Sequence, residues 1–124
     1  MAPPRPGYGH SVAVYLFAGI PVRDYTAALA WYEMLLGSPP SFFPHDTEAV
    51  WELSEYRSVY IVQQPEHAGH AMHTVIVDDL DALMAEVTER GLEPAKQETY
   101  PNGVRKTTYV DPDGNEIGFG QVPH

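Results

Sequence analysis

The 124-residue chain has no cysteine. That excludes a disulfide framework, a thiolate nucleophile and a thiolate zinc site. Positive charge is also scarce: seven Lys and Arg stand against 17 Asp and Glu, a formal net charge of −10. Nucleic acid and anionic membrane surfaces both call for a basic face, so neither is an expected partner. The acidic balance fits an ordinary soluble protein and leaves room for a cationic ligand. No apolar run approaches the length of a membrane span. The longest, VAVYLFAGI, is too short, and no cleavage-like site follows it. A cytoplasmic protein is the default expectation. No serine lies in a recognisable motif with His and an acid. GNEIGFG follows a turn and enters a strand, so it is not a phosphate-cradling loop.

What is present is a set of short, regular elements. MAPPRPGYG is rich in Pro and Gly, and residues 1–10 read as a flexible arm. Residues 11–124 are long enough for a single domain with its own core. Ser11–Ala18 is apolar and β-rich, and Gly19, Ile20 and Pro21 end it. Asp24 suits a helix cap, and Ala27, Ala28, Trp31, Tyr32, Leu35 and Leu36 recur at helical spacing before Gly37. SPPSFFPHD is a loop with one short strand. Ala49–Leu53 and Ser58–Gln63 are strands joined by a turn around Glu55–Arg57, and PEHAGH is a linker.

The pattern then starts again. AMHTVIV is a strand, Asp78 and Asp79 lead into the helix LDALMAEVTER, and Gly91 stops it. Leu92–Gln97 is a short strand. Val104–Val110 and Asn115–Gly120 form a hairpin around Asp111, Pro112, Asp113 and Gly114, a type I turn by its Pro and Gly positions. A shift of 55 places Ile20 on Val75, Val22 on Val77, Asp24 on Asp79 and Ala27 on Ala82. The chain therefore contains an internal repeat, about residues 11–64 and 71–121, each half reading βαβββ. That order predicts an α+β protein with helices on one side of mostly antiparallel strands.

Three segments carry a family resemblance: VRDYTAALAWYEMLLG, HTVIVDDLDALMAEVTERG and YVDPDGNEIGFGQ. In order and spacing they resemble the vicinal oxygen chelate superfamily, the group of glyoxalase I, bleomycin-resistance proteins and extradiol dioxygenases. The resemblance implies two βαβββ modules forming curved mixed sheets around a cavity, with helices outside, and a homodimer. In metal-dependent members His, Gln or Glu on the first and last strand of each half bind a divalent ion, which polarises substrate oxygens.

Carried onto this chain, the first-strand places fall seven residues before the helix-start acid, at Phe17 and Met72. The last-strand place is four beyond the Gly of DPDG, at Gly118, and its partner is Ile61, or Gln63 if the register slips by two. Phenyl, sec-butyl and absent side chains give no donor, and a thioether is too soft for such ions. The expectation is therefore no metal and no cofactor; a divalent metal enters only if that alignment is wrong. His73, one residue from Met72, should face the helices. HAGHAMH reads as loop polarity rather than a ligand cluster.

On the same alignment Phe17, Trp51, Ile61, Gln63, Met72, Thr74, Lys106, Thr108, Glu116 and Gly118 line an apolar and aromatic bowl. Such a bowl suits a small organic ligand of drug-like size, as in bleomycin-resistance members. Three alternatives stand beside this reading. They are a glyoxalase-like metal-dependent lyase or dioxygenase, a metal-free enzyme using Glu116 or Lys106 as acid or base, and a core simply filled by Phe17, Trp51 and Met72. Phe42 and Phe43 read as a lip over the cavity or a dimer contact.

Overall fold

The computed structural model describes residues 14–123; the N-terminal arm expected over residues 1–10 lies outside them. The chain runs β1 (Leu16–Val22), α1 (Tyr25–Leu36), β2 (Phe42–His45), β3 (Glu48–Ser54) and β4 (Arg57–Gln63). After a single 3-10 turn at Pro65–His67 come β5 (Met72–Ile76), α2 (Leu80–Glu89), β6 (Lys96–Thr99), β7 (Arg105–Val110) and β8 (Glu116–Gln121). The order is βαβββ twice. Each half makes its own four-stranded sheet, β1-β4-β3-β2 and β5-β8-β7-β6. In each, the first strand pairs parallel with the last and the other neighbours are antiparallel.

The helix boundaries follow from local chemistry. Asp24 accepts from the Ala27 amide and Asp79 from the Ala82 amide, each through its side chain. Gly37 ends α1 in the left-handed region at φ 77°, where a Cβ is unfavourable. Each helix also receives a glutamine from the last strand of its own half. Gln63 Oε1 accepts from the Tyr25 amide at 3.0 Å, and Gln121 Oε1 from the Leu80 amide at 2.7 Å.

Two strand boundaries differ from expectation. β1 continues through Ile20 and Pro21 to Val22. It is an edge strand paired only with β4, so the missing N–H of Pro21 costs no ladder bond. β6 begins at Lys96 rather than Leu92, after Pro94.

One core serves both halves. It joins Ile20, Val22, Trp51 and Ile61 of the first sheet to Tyr109, Ile117 and Phe119 of the second, with Tyr32, Leu35, Leu80 and Val87 from the helices. One face of each sheet therefore looks into a shared interior, and the other looks outward.

Candidate functional site

Strand alternation and register sort the side chains of each sheet between those two faces. In the first sheet Phe17 pairs with Ser58, Gly19 with Tyr60 and Pro21 with Val62, and these share the outward face. Phe42 and Tyr60 both pair with Val50, which adds Phe42 to that face. In the second sheet the outward rows are Met72–Glu116–Val110, Thr74–Gly118–Thr108–Lys96 and Ile76–Gly120–Lys106–Glu98.

Seven of the ten expected site residues thus lie on outward faces: Phe17 on the first sheet, and Met72, Thr74, Lys106, Thr108, Glu116 and Gly118 on the second. Phe17 is 50 % exposed and Met72 71 %, whereas Thr108 is buried at 4 %. Within one chain the two outward faces point away from the common core, so Phe17 and Met72 do not converge. The reading in which Phe17 and Met72 fill the core does not hold, since both are exposed.

The other three residues fall on the core side. Trp51 pairs with Val59 and Ile20 with Ile61, so Trp51 and Ile61 point into the core, where they are 2 % and 0 % exposed. Trp51 Nε1 donates to the Ser38 carbonyl at 3.0 Å. Gln63 is taken by the first turn of α1. The cause is a one-residue slip. The hairpin residues of the first half map onto the second at a shift of 58, which places Tyr60, not Ile61, opposite Gly118 in the repeat. A one-residue change of register turns a strand side chain to the other face. Aligning Gln63 on Gln121 would have revealed the slip, because both close the last strand and both cap the helix of their half.

The corrected set at the four places is Phe17, Tyr60, Met72 and Gly118. It comprises a phenyl, a phenol, a thioether and a bare backbone. Two glycines on these faces have their space filled by neighbours. A Cβ at Gly19 would stand 2.6 Å from the Tyr60 hydroxyl, so that glycine makes room for the phenol. A Cβ at Gly118 would stand 2.7 Å from Lys106 Cε, 3.5 Å from Thr74 Oγ1 and 3.6 Å from Lys106 Nζ. The glycine of the last strand is roofed by a lysine. Among the described residues no group of three or more His, Asp or Glu is placed to hold a metal ion. His73 points to the core side with Val75, and its Nε2 lies 3.0 Å from the Gly19 carbonyl oxygen.

The turn Asp111–Asn115 does a different job from the one expected of it. Asp111 Oδ1 accepts from the amides of Asp113 and Asn115, both at 2.9 Å. Asp111 Oδ2 accepts from the Tyr32 hydroxyl at 2.9 Å and from Asn115 Nδ2 at 2.8 Å. Asn115 Nδ2 also donates to the Pro21 carbonyl, and its Oδ1 accepts from the amides of Gly69 and Ala71. Sequence reading saw the turn but not this clasp, which ties the second half to β1 and α1 of the first. Burial, and then the charge of Asp111, holds the Tyr32 phenol far above the usual tyrosine range.

A cleft of about 600 Å³ opens between edge strands β1 and β5 on their core side, lined by Leu16, Ala18, Val59, His73 and Val75 with Arg57 among them. Of the ten expected residues only Thr74 borders it. No helix of the described residues is long and apolar enough to cross a membrane.

Comparison with known proteins decides the family. The profile of the Glyoxalase/Bleomycin resistance protein/Dioxygenase superfamily matches residues 9–119. The chain belongs to this superfamily. A glyoxalase/bleomycin resistance protein from Catenulispora acidiphila is 65 % identical, with a TM-score of 0.87 over 90 % of this chain and all of that one. More distant superfamily structures share the fold. A bleomycin-binding protein complexed with bleomycin is 20 % identical, with TM-score 0.72 over 90 % of this chain and 100 % of that one. A lactoylglutathione lyase from Agrobacterium tumefaciens is 16 % identical, with TM-score 0.69 over 91 % and 95 %. A binder and an enzyme are thus matched about equally well, and superfamily architecture alone does not separate them. No curated protein matches the chain.

Proposed function

We propose that this superfamily member is a metal-independent small-molecule-binding protein, with its ligand held on the outward sheet faces where metal-dependent relatives mount their ions. The observation that carries the reading is the set Phe17, Tyr60, Met72 and Gly118. Two of the four have no donor atom and one offers only a soft thioether. A lone phenol makes a poor site for a borderline divalent ion, so these residues do not fit one, and no step is routed through a metal. What they supply instead is apolar surface, with Ile76 and Phe42 beside them at 58 % and 42 % exposure. Aromatic and thioether side chains with a few polar groups suit a flat organic ligand.

The two faces diverge within a chain, so an enclosed site calls for a second copy. A homodimer that sets the first sheet of one chain against the second sheet of its partner would bring the two outward faces together. It would also cover edge strands β1 and β5, whose backbone groups are otherwise open on one side. Sedimentation equilibrium should return twice the chain mass, and a monomer at micromolar concentration would refute the arrangement.

The ligand reading is tested by thermal unfolding against a panel of aromatic and drug-like compounds, with elemental analysis of the purified protein. A binder at 100 times its Kd should stabilise the fold by about 2.7 kcal/mol. A rise in Tm for at least one class of compound, without stoichiometric Zn, Ni, Mn or Fe, is the expected result. A stoichiometric ion, or activity abolished by chelator, would return the protein to the lyase or dioxygenase class.

A further inference from the structure

Among the described residues Lys106 is the basic side chain with neither an ion pair nor a hydrogen-bond acceptor; Arg57, also without a carboxylate, donates to Ser54 Oγ, and Arg90 donates to the Met34 and Leu35 carbonyls. In a chain of net charge −10, Arg23, Lys96 and Arg105 each lie within 4 Å of a carboxylate, on Asp113, Glu98 and Asp81 respectively. Lys106 makes no ion pair among the described residues, although Glu98 lies directly across from it in the ladder. Glu98 is already engaged by the Lys96 ammonium at 3.6 Å and the Tyr100 hydroxyl at 3.2 Å. Glu116 is on the same face but in the row beyond Gly118, next to Met72. The Lys106 stem crosses Gly118, with its ammonium 3.6 Å from where a Cβ would be and the Thr74 hydroxyl 3.5 Å from the same point. Thr108, in the same row, is buried at 4 %. Bare backbone with an ammonium and a hydroxyl beside it forms a small receptor with a fixed positive charge.

We propose that this receptor takes the anionic group of an aromatic ligand, a carboxylate or phenolate, which would sit beside the Lys106 stem that covers Gly118, within reach of Lys106 Nζ and Thr74 Oγ1. The inference rests on the small-molecule reading above and names its ligand class. A half-buried ammonium with no counter-ion is stabilised by a charge-assisted hydrogen bond to an anion, and more strongly there than in bulk water. The exposed side chains of Met72 and Ile76 flank the point on either side and give the aromatic body its contact. The fixed cation thus stands beside one of the four places where the resemblance expects a metal ligand, and it selects an oxyanion without polarising two oxygens at once. Net charge alone favours a cationic ligand, so the local arrangement and the global charge make opposite predictions.

Three isosteric probes separate them: 2-naphthoate, 2-naphthamide and 2-naphthylmethylammonium, titrated by calorimetry or by amide chemical shifts. The wild-type protein should bind 2-naphthoate at least about tenfold more tightly than the other two, consistent with one charge-assisted contact. Lys106→Met, which keeps the apolar stem, should abolish that preference by weakening 2-naphthoate far more than 2-naphthamide. Lys106→Arg should retain the preference. If the amide or the ammonium binds as tightly as the carboxylate, or if Lys106→Met keeps the preference, the anion receptor is wrong and the small-molecule reading survives. If none of the three probes binds the wild type, the anion receptor is wrong, and the wider compound panel alone decides the small-molecule reading.

Discussion

Gly118 shows how a side chain can be read from its absence. A strand glycine is usually a weakness in the ladder or a place of close approach. Here it is the second: a lysine lies across it, closer than any Cβ would allow. Gly118→Glu would restore the carboxylate at that place of the superfamily, but it would have to displace the flexible end of Lys106 and would find the ammonium within reach. The expected outcome is an internal ion pair, with no stoichiometric divalent ion by elemental analysis, because Phe17 and Met72 still offer no imidazole. Uptake of Zn or Mn by this single variant would mean that the ligand places are misassigned. At this scale the sequence was informative for Phe17, Met72 and Gly118, whose distances from Asp24, Asp79 and Gly114 are fixed by short connections. It was misleading for Trp51 and Ile61. The turn LSEYR has no Gly, Pro or Asn to mark its centre, and Tyr56 takes the left-handed conformation at φ 65° with no sequence signal for it.

At the scale of elements, the legible features were those with a local cause. Asp24, Asp79 and Gly37 announced the helix ends because capping is a contact within a few residues. The glutamine caps and the clasp around Asp111 were not legible, since their partners lie 38 to 94 residues away. The clasp is nonetheless one of the places where the halves are held, beside the Arg90 bonds to the Met34 and Leu35 carbonyls. Asn115 is fully buried, and its amide group serves four partners at once: Asp111, Pro21, Gly69 and Ala71. Asn115→Ala leaves the half-buried Gly69 and Ala71 amides without an acceptor and the Pro21 carbonyl without a donor. An orphaned buried group costs about 1–3 kcal/mol and one that water can reach costs less, so a total loss of about 2–3 kcal/mol is expected in urea unfolding. Asn115→Asp keeps the acceptor but sets a second carboxylate against Asp111, and it should be no better. A loss below about 1 kcal/mol for Asn115→Ala, measured against the ordinary loss of a buried hydrogen bond, would show that the clasp adds little to the other contacts between the halves.

Over the whole molecule, the same clasp gives stability a dependence on pH that the acidic composition does not foretell. The Tyr32 phenol is fully buried and donates to Asp111, and its pKa is raised first by burial and then by the aspartate charge. The folded state therefore holds this proton more tightly than the unfolded chain, whose tyrosines titrate near 10. Below that pH both states keep the proton and the contribution of the hydrogen bond is complete. Above it the unfolded chain binds fewer protons than the folded one, so stability falls by about 1.4 kcal/mol per pH unit for this one group. Tyr109, also buried and raised by its burial, adds to the same alkaline limb. Tyr32→Phe separates the two tyrosines. At neutral pH it should cost about 1–2 kcal/mol, since Asp111 keeps the Asn115 amide as a donor. Above pH 10 its stability should decline less steeply than wild type, by the slope of one proton, while the lysines titrate alike in both. Parallel alkaline limbs for the two proteins would mean that the Tyr32 proton is shed without unfolding, and that the contact with Asp111 does not join the two halves.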